Sequence, residues 1–312
     1  MTVPPLPQVE TNKGVAAIVL AAAIWGLSTL FYKLLSHVST IEILAHRTLW
    51  SLIIFAAVLL LQGRIGTLAQ ALRQRRSFLP ILLAAITISL NWYVFIYAIQ
   101  LGHTMETSLG YFIFPLLAVV LGALLFSERL GRAQRVAVAL AVLAVVILTV
   151  GLGVAPWIAL MLATSFGLYG VIKKGLGVGP VVSVTAEVLL LSPIAIVVLA
   201  LIHRDGNGAF GGNLADSALL AFSGLITALP LILLSYAARR VTLATVGLVQ
   251  YLNPSLQFLV ATFIFSEPFT PWHAIAFPMI WVALAIYTIA SLRQDRALRR
   301  VSSAPDTSST TR

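Results

Sequence analysis

Residues 14–31, 137–172 and 241–266 contain no charged side chain. A helix needs about 20 apolar residues to cross the roughly 30 Å hydrocarbon core of a bilayer, and runs of this length fit that setting. Only 10% of the 312 residues are charged and 60% are hydrophobic, with a mean hydropathy of +1.00. Globular proteins in water carry about a quarter charged residues, so this chain lacks the charge to cover a soluble surface. It also has no cysteine, which excludes a disulfide framework, thiolate catalysis and Cys-ligated zinc or iron–sulfur sites.

Apolar runs between charged or turn-forming interruptions predict an all-α polytopic membrane protein with ten transmembrane helices. The spans fall at 14–35, 43–62, 78–100, 105–126, 133–150, 155–172, 181–202, 217–236, 243–265 and 272–291. Very short loops join 78–100 to 105–126 and 133–150 to 155–172, so a re-entrant segment is the competing reading there. The longest polar stretches, 63–77, 203–216 and the tail from 292, are each too short for a soluble domain of about 50 residues. Any solute must therefore be handled within the membrane. Residues 1–13 and 292–312 read as tails, the latter disordered and Ser/Thr-rich beyond 302. The first apolar run is too long for a signal peptide and reads as an uncleaved span.

With a cytoplasmic N-terminus, 17 of the 20 Lys and Arg residues fall on the inner side. Only Lys33, Arg47 and Arg204 lie at the outer side or within a span. This asymmetry is the one that orients membrane proteins, and it places both termini in the cytoplasm. The net charge of +10 thus reflects topology. The basic residues are scattered over short segments with no folded module to present them, so no nucleic-acid partner is expected.

The two halves of the chain resemble each other. Setting 97–128 against 236–267 without a gap gives eight identities in 32 positions, among them Pro115/Pro254, Leu117/Leu256 and Phe126-Ser127-Glu128/Phe265-Ser266-Glu267. A weaker match sets Trp25-Gly26-Leu27 against Phe166-Gly167-Leu168. Five spans per half give the second half opposite polarity in the membrane, the inverted-repeat arrangement of many secondary transporters. The first repeat is taken as 14–150 and the second as 155–291.

Several motifs carry a family resemblance: Ile-Trp-Gly at 24–26, Glu-Ile-Leu-Ala-His-Arg-Thr-Leu-Trp-Ser at 42–51, Asn91-Trp92, Ser-Leu-Gly-Tyr-Phe-Ile at 108–113, Ser-Glu-Arg at 127–129, Gln250-Tyr251, Pro254 and Ile-Trp-Val-Ala-Leu-Ala-Ile at 280–286. Over residues 13–293 the chain resembles RarD-type permeases of the EamA branch of the drug/metabolite transporter superfamily. The resemblance implies ten helices in two inverted five-helix repeats, a bacterial inner-membrane location and small-solute transport through a central cavity.

Ionisable groups inside a span are costly and are functional candidates by default. Glu42, His46 and Arg47 form a candidate outer polar cluster facing the cavity, with snorkelling to headgroups as the structural alternative. Glu187 is the one acid well inside a predicted span. A carboxyl in low dielectric can take up and release a proton near neutral pH, so Glu187 or His46 is the candidate proton carrier and Arg47 its partner or an anion anchor. Pairing of Glu187 with Lys173 or Lys174 is the bland alternative.

Gln250, Asn253 and Gln257 share one helical face around Pro254 and are candidate substrate contacts, as is Asn91; interhelical bonding is their alternative role. Trp25, Trp92, Tyr111, Tyr169 and Tyr251 lie inside spans rather than at the interfacial belts. Together these residues describe an amphipathic or aromatic solute in an apolar, hydrogen-bonding pocket. Pro115 and Pro254 are predicted kinks, Gly26 and Gly167 close helix contacts, and Glu128 and Glu267 gates or caps. No phosphate-binding Gly-rich loop is present, and no metal or cofactor is expected. The leading function is secondary transport by a monomer or weak homo-oligomer among membrane lipids. The rival is an intramembrane enzyme acting on a lipid-like substrate, which the scattered histidines do not favour.

Overall fold

The computed structural model describes residues 8–126 and 130–302. Ser127, Glu128 and Arg129 lie outside the described residues, and with them the predicted role of Glu128. The chain forms α1 (Gln8–Leu34), α2 (Thr40–Leu61), α3 (Ile65–Arg73), α4 (Arg75–Gln100), α5 (Thr104–Phe126) and α6 (Arg132–Leu152). Then follow α7 (Trp157–Lys174), α8 (Pro180–Arg204), α9 (Leu214–Ala237), α10 (Leu243–Gln250), α11 (Leu252–Leu259), a π-helical turn (Val260–Ile264) and α12 (Pro271–Ser302). Among the described residues there is no strand, only an isolated bridge between Phe210 and Asn213.

Eight of these helices, α1, α2, α4, α5, α6, α8, α9 and α12, are long and apolar enough to cross a membrane. The chain is therefore an all-α integral membrane protein. The other two predicted spans look different. α7 has 18 residues and ends on Lys173 and Lys174. Predicted span 243–265 is divided into α10, α11 and the π turn, with Pro254 removing one backbone donor in between. The segments at 78–126 form two separate helices, turned at Gly102, whose φ of 80° favours glycine. The 63–77 stretch, read as a polar loop, holds α3: Leu68 and Ala71 are buried, and the spacing of Ile65, Leu68 and Leu72 is a helical one. α12 continues past the predicted end at 291.

Local chemistry sets the boundaries. The side chains of Ser39, Asn213 and Thr242 cap α2, α9 and α10 by accepting from Glu42, Asp216 and Thr245 amides. Pro180 and Pro271 open α8 and α12, where the missing donor costs nothing. α6 stops at Gly153, with φ of 70°.

The most extensive helix interfaces pair α5 with α7, α6 with α12, α2 with α8 and α9, α4 with α7, and α1 with α9 and α11. Each joins the first half of the chain to the second, so the halves interleave. Between helices in lipid the hydrophobic drive is weak and close backbone approach matters. A Cβ on Gly26 would sit 2.7 Å from the Leu256 Cβ, and one on Gly110 2.8 Å from the Ala159 carbonyl oxygen. Large apolar side chains such as Leu60, Val150 and Phe263 remain exposed on the outside of the bundle, as lipid contact allows.

The loops sort into two ends. At one, Glu10 pairs with Lys13 and Arg240. At the other, His37 meets Asp216, Gln100 donates to the Leu35 and Val38 carbonyls, and Glu267 accepts from the Thr104 and Met105 amides, each at 2.7 Å. Glu267 is thus the predicted cap: its carboxylate closes the N-terminus of α5 from the loop before α12. Ser266 beside it holds a φ of 52°.

Candidate functional site

Arg47 lies seven residues into α2, about 10 Å from its start. It is 5% exposed, so the guanidinium does not snorkel to the surface. Its Cζ sits 4.3 Å from the centroid of the Trp92 ring on α4 and 5.6 Å from that of Tyr32 on α1. The Tyr111 hydroxyl on α5 is within electrostatic reach of the same charge. The Arg47 Nε is buried with no hydrogen-bond partner, and no ion pair involves Arg47 among the described residues. The Tyr32 hydroxyl, facing Arg47 and Thr227, likewise closes no well-formed hydrogen bond.

The structure separates Arg47 from Glu42 and His46. The Glu42 carboxylate accepts from the Ala209 and Phe210 amides at 2.8 and 3.2 Å, pinning the loop between α8 and α9. The His46 ring stacks on Phe210 with centroids 4.6 Å apart, and its Nε2 is buried without a partner. His203 fixes the same loop through the Phe210 carbonyl. Glu42 and His46 share a helix face as expected, yet both turn to this loop.

At the opposite end, Glu187 on α8 is fully buried. It accepts from Lys173 Nζ at 2.6 Å, from Ser183 Oγ at 2.8 Å and from the Tyr169 hydroxyl at 3.0 Å. The sequence alternative of a Lys173 partner is thus met, and α7 is tied to α8 by it.

The amides are largely used between helices. Asn91 donates to the Leu162 carbonyl and to Ser165 Oγ, and accepts from the Tyr111 hydroxyl at 3.1 Å, joining α4, α5 and α7. Gln257 donates to Asn253 Oδ1 at 2.8 Å and accepts from Thr107, while Ser108 donates to the Pro254 carbonyl. Gln250 is separated from this pair by the break at Tyr251 between α10 and α11. Asn253 and Trp25 are partly buried. Tyr251 lines a groove of about 610 Å³ with Phe112, Trp281 and Thr288, its hydroxyl 3.5 Å from that of Thr288. This groove lies apart from Arg47 and is walled almost wholly by apolar side chains.

Sequence reasoning passed over Tyr32, Thr107, Ser108, Ser165 and Phe210. Ser and Thr inside apolar spans are a usable sign of interhelical bonding. Phe210 sits in a loop and carried no such sign.

The model of the EamA-like transporter family matches residues 12–150. The chain is 39% identical over 292 residues to the uncharacterized transporter YojE of Bacillus subtilis (strain 168), covering 92% of this chain and 97% of that protein. It is 41% identical over 280 residues to protein RarD of Streptomyces exfoliatus, covering 89% of each. A crystal structure 20% identical in sequence superposes with a TM-score of 0.58 over 93% of this chain and 99% of that one, so the two share a fold. Relatives of this kind are transporters, and the reading as an intramembrane enzyme falls with that. The chain belongs to the RarD-type permeases of the EamA family, membrane transporters of the drug/metabolite class.

Proposed function

We propose that the protein is a secondary transporter that moves a small amphipathic solute across a bacterial inner membrane by alternating access, with both termini cytoplasmic. In this reading α7 and the broken α10–α11 segment complete ten spans, arranged as two inverted five-helix repeats over 14–150 and 155–291. One observation carries it. Gly26 packs against Leu256, and Gly167 packs on the side chains of Leu121 and Leu117. The internal alignments pair Gly26 with Gly167 and Leu117 with Leu256, so the two contacts are counterparts across the repeat. An exchange between two such halves opens a central site to each side in turn.

The solute is met by Arg47, Trp92, Tyr111, Trp25 and Asn253, while Tyr251 and Gln250 flank the groove beside α12. The Lys173–Glu187 pair is the coupling element: a proton arriving at Glu187 breaks the ion pair and frees α7 from α8. Purified protein is screened by thermal shift against a metabolite panel, and stabilising solutes are then tested for counterflow in sealed vesicles. Exchange of at least one is expected, and failure of every stabilising solute to exchange refutes transport. Unchanged flux of Glu187→Gln under an imposed pH gradient removes Glu187 from coupling.

A further inference from the structure

We infer that Arg47 is a docking point for the carboxylate of an aromatic monoanion, so that the solute is an aryl or arylalkyl carboxylate rather than a neutral molecule. The inference rests on the transport reading above and names its substrate class. Arg47 is the one buried Lys or Arg among the described residues. A guanidinium does not shed its proton, so burial leaves a permanent charge to be compensated. Other acids of the described residues are engaged elsewhere, Glu10 with Lys13 and Arg240 and Asp205 with Arg204. Glu187 holds Lys173, Glu42 holds the Ala209 and Phe210 amides, Glu267 holds the start of α5, Asp216 meets His37 and Glu106 meets His103.

Around Arg47 there are ring faces and hydroxyls instead: Trp92, Tyr32 and Tyr111. Attraction to the rings offsets only part of the desolvation of a cation. The unpartnered Nε and the unpartnered Tyr32 hydroxyl are both donors. A carboxylate offers two acceptor oxygens that match the guanidinium fork and leaves a lone pair for the hydroxyl. The surrounding rings supply an apolar, π-rich wall for an aromatic body. A single positive charge favours a monoanion over a phosphate dianion.

The test uses full-length protein in nanodiscs, titrated with benzoate and phenylacetate, with their amides benzamide and phenylacetamide, and with phenyl phosphate. Binding is read by thermal shift and by tryptophan fluorescence, since Trp92 lies against Arg47. The acids are expected to bind at least about tenfold tighter than the amides, the strength of a charge-assisted hydrogen bond. Arg47→Gln removes that preference and Arg47→Lys keeps part of it. Equal binding of acids and amides, binding of neither acid, or undiminished acid binding by Arg47→Gln overturns the inference; tighter binding of phenyl phosphate overturns the choice of carboxylate. The acid–amide comparison needs wild-type protein alone, so it decides the matter even where Arg47→Gln does not fold. Acid binding that depends on Arg47, when neither that acid nor any other stabilising solute shows counterflow, refutes transport and leaves the site standing. Counterflow of neutral solutes only does the reverse.

Discussion

Glu187→Gln keeps the shape of the side chain that joins α7 to α8 and removes its charge. The wild-type carboxylate is fully buried and receives three donors, Lys173, Ser183 and Tyr169, at 2.6, 2.8 and 3.0 Å. Glutamine offers one acceptor oxygen and turns two further hydrogens toward groups that also donate. Removing one partner of a buried ion pair costs about 3–5 kcal/mol, because the other charge is left without compensation. The Lys173 side chain is 20% exposed, so its ammonium recovers some water and the loss falls near about 3 kcal/mol. Lys173→Met leaves the carboxylate with two hydroxyl donors and is expected to cost a similar amount. Combining Lys173→Met with Glu187→Gln strands neither charge, and the double loss falls short of the sum by about 2 kcal/mol. Equilibrium unfolding of the four proteins in mixed micelles measures the cycle. Single losses within about 0.5 kcal/mol of zero, or losses that simply add, refute the claim that this pair holds α7 to α8.

Glu267→Ala uncaps α5 by removing the acceptor of the Thr104 and Met105 amides, and a loss of about 1–2 kcal/mol in the same unfolding assay is expected. Glu42→Ala releases the loop between α8 and α9, which hydrogen exchange reads as lost protection at the Ala209 and Phe210 amides while α4 stays protected. Gly26→Ala drives a methyl into Leu256 and the Asn253 carbonyl and lowers the melting temperature and folded yield. Gly66→Ala, in open space on α3, leaves both unchanged or improved.

The eight helices long enough to cross a membrane are legible because each is a long apolar run, and a run needs no tertiary information to be seen. α3 was hidden by its charged flanks: Arg64, Arg73, Arg75 and Arg76 outweigh three apolar residues at helical spacing. The division of 243–265 was half visible. Pro254 announces an irregularity, whereas the π turn at Val260–Ile264 depends on how the chain reaches Ser266 and sets Glu267 on α5. At the candidate site, depth within a span points to Arg47, Glu187 and Asn91, and all three are buried. It did not tell which partners they meet. Glu42, His46 and Arg47 are neighbours in sequence, yet adjacent helical positions point about 100° apart, and so Arg47 faces α1 and α4 while Glu42 and His46 face a loop.

Hydrogen-bond occupancy also divides the seams of the bundle. α4, α5 and α7 are stitched by Asn91, Tyr111 and Ser165, and α5 is stitched to α11 by Thr107–Gln257 and Ser108–Pro254. Sliding either seam breaks buried, directional bonds that lipid cannot replace. α6 and α12 meet through side chains such as Ala144, Leu148, Phe277 and Leu284. Among the described residues no side-chain hydrogen bond joins α6 to α12, and none joins α2 to α8 or α9 along the spans. Apolar faces can change register for a small cost, provided that they stay packed. Along its span α2 is therefore held to α8 and α9, the helices it packs against most, by apolar contact alone. Its anchors at the loop end are Glu42 and His46 against the segment at 209–210, and Thr40, whose hydroxyl donates to the Gln100 side chain on α4. Since Arg47 rides on α2 and touches α1 and α4 only through ring faces, a ligand on its guanidinium bears directly on a helix that no side-chain hydrogen bond among the described residues ties to α8 or α9 along its span.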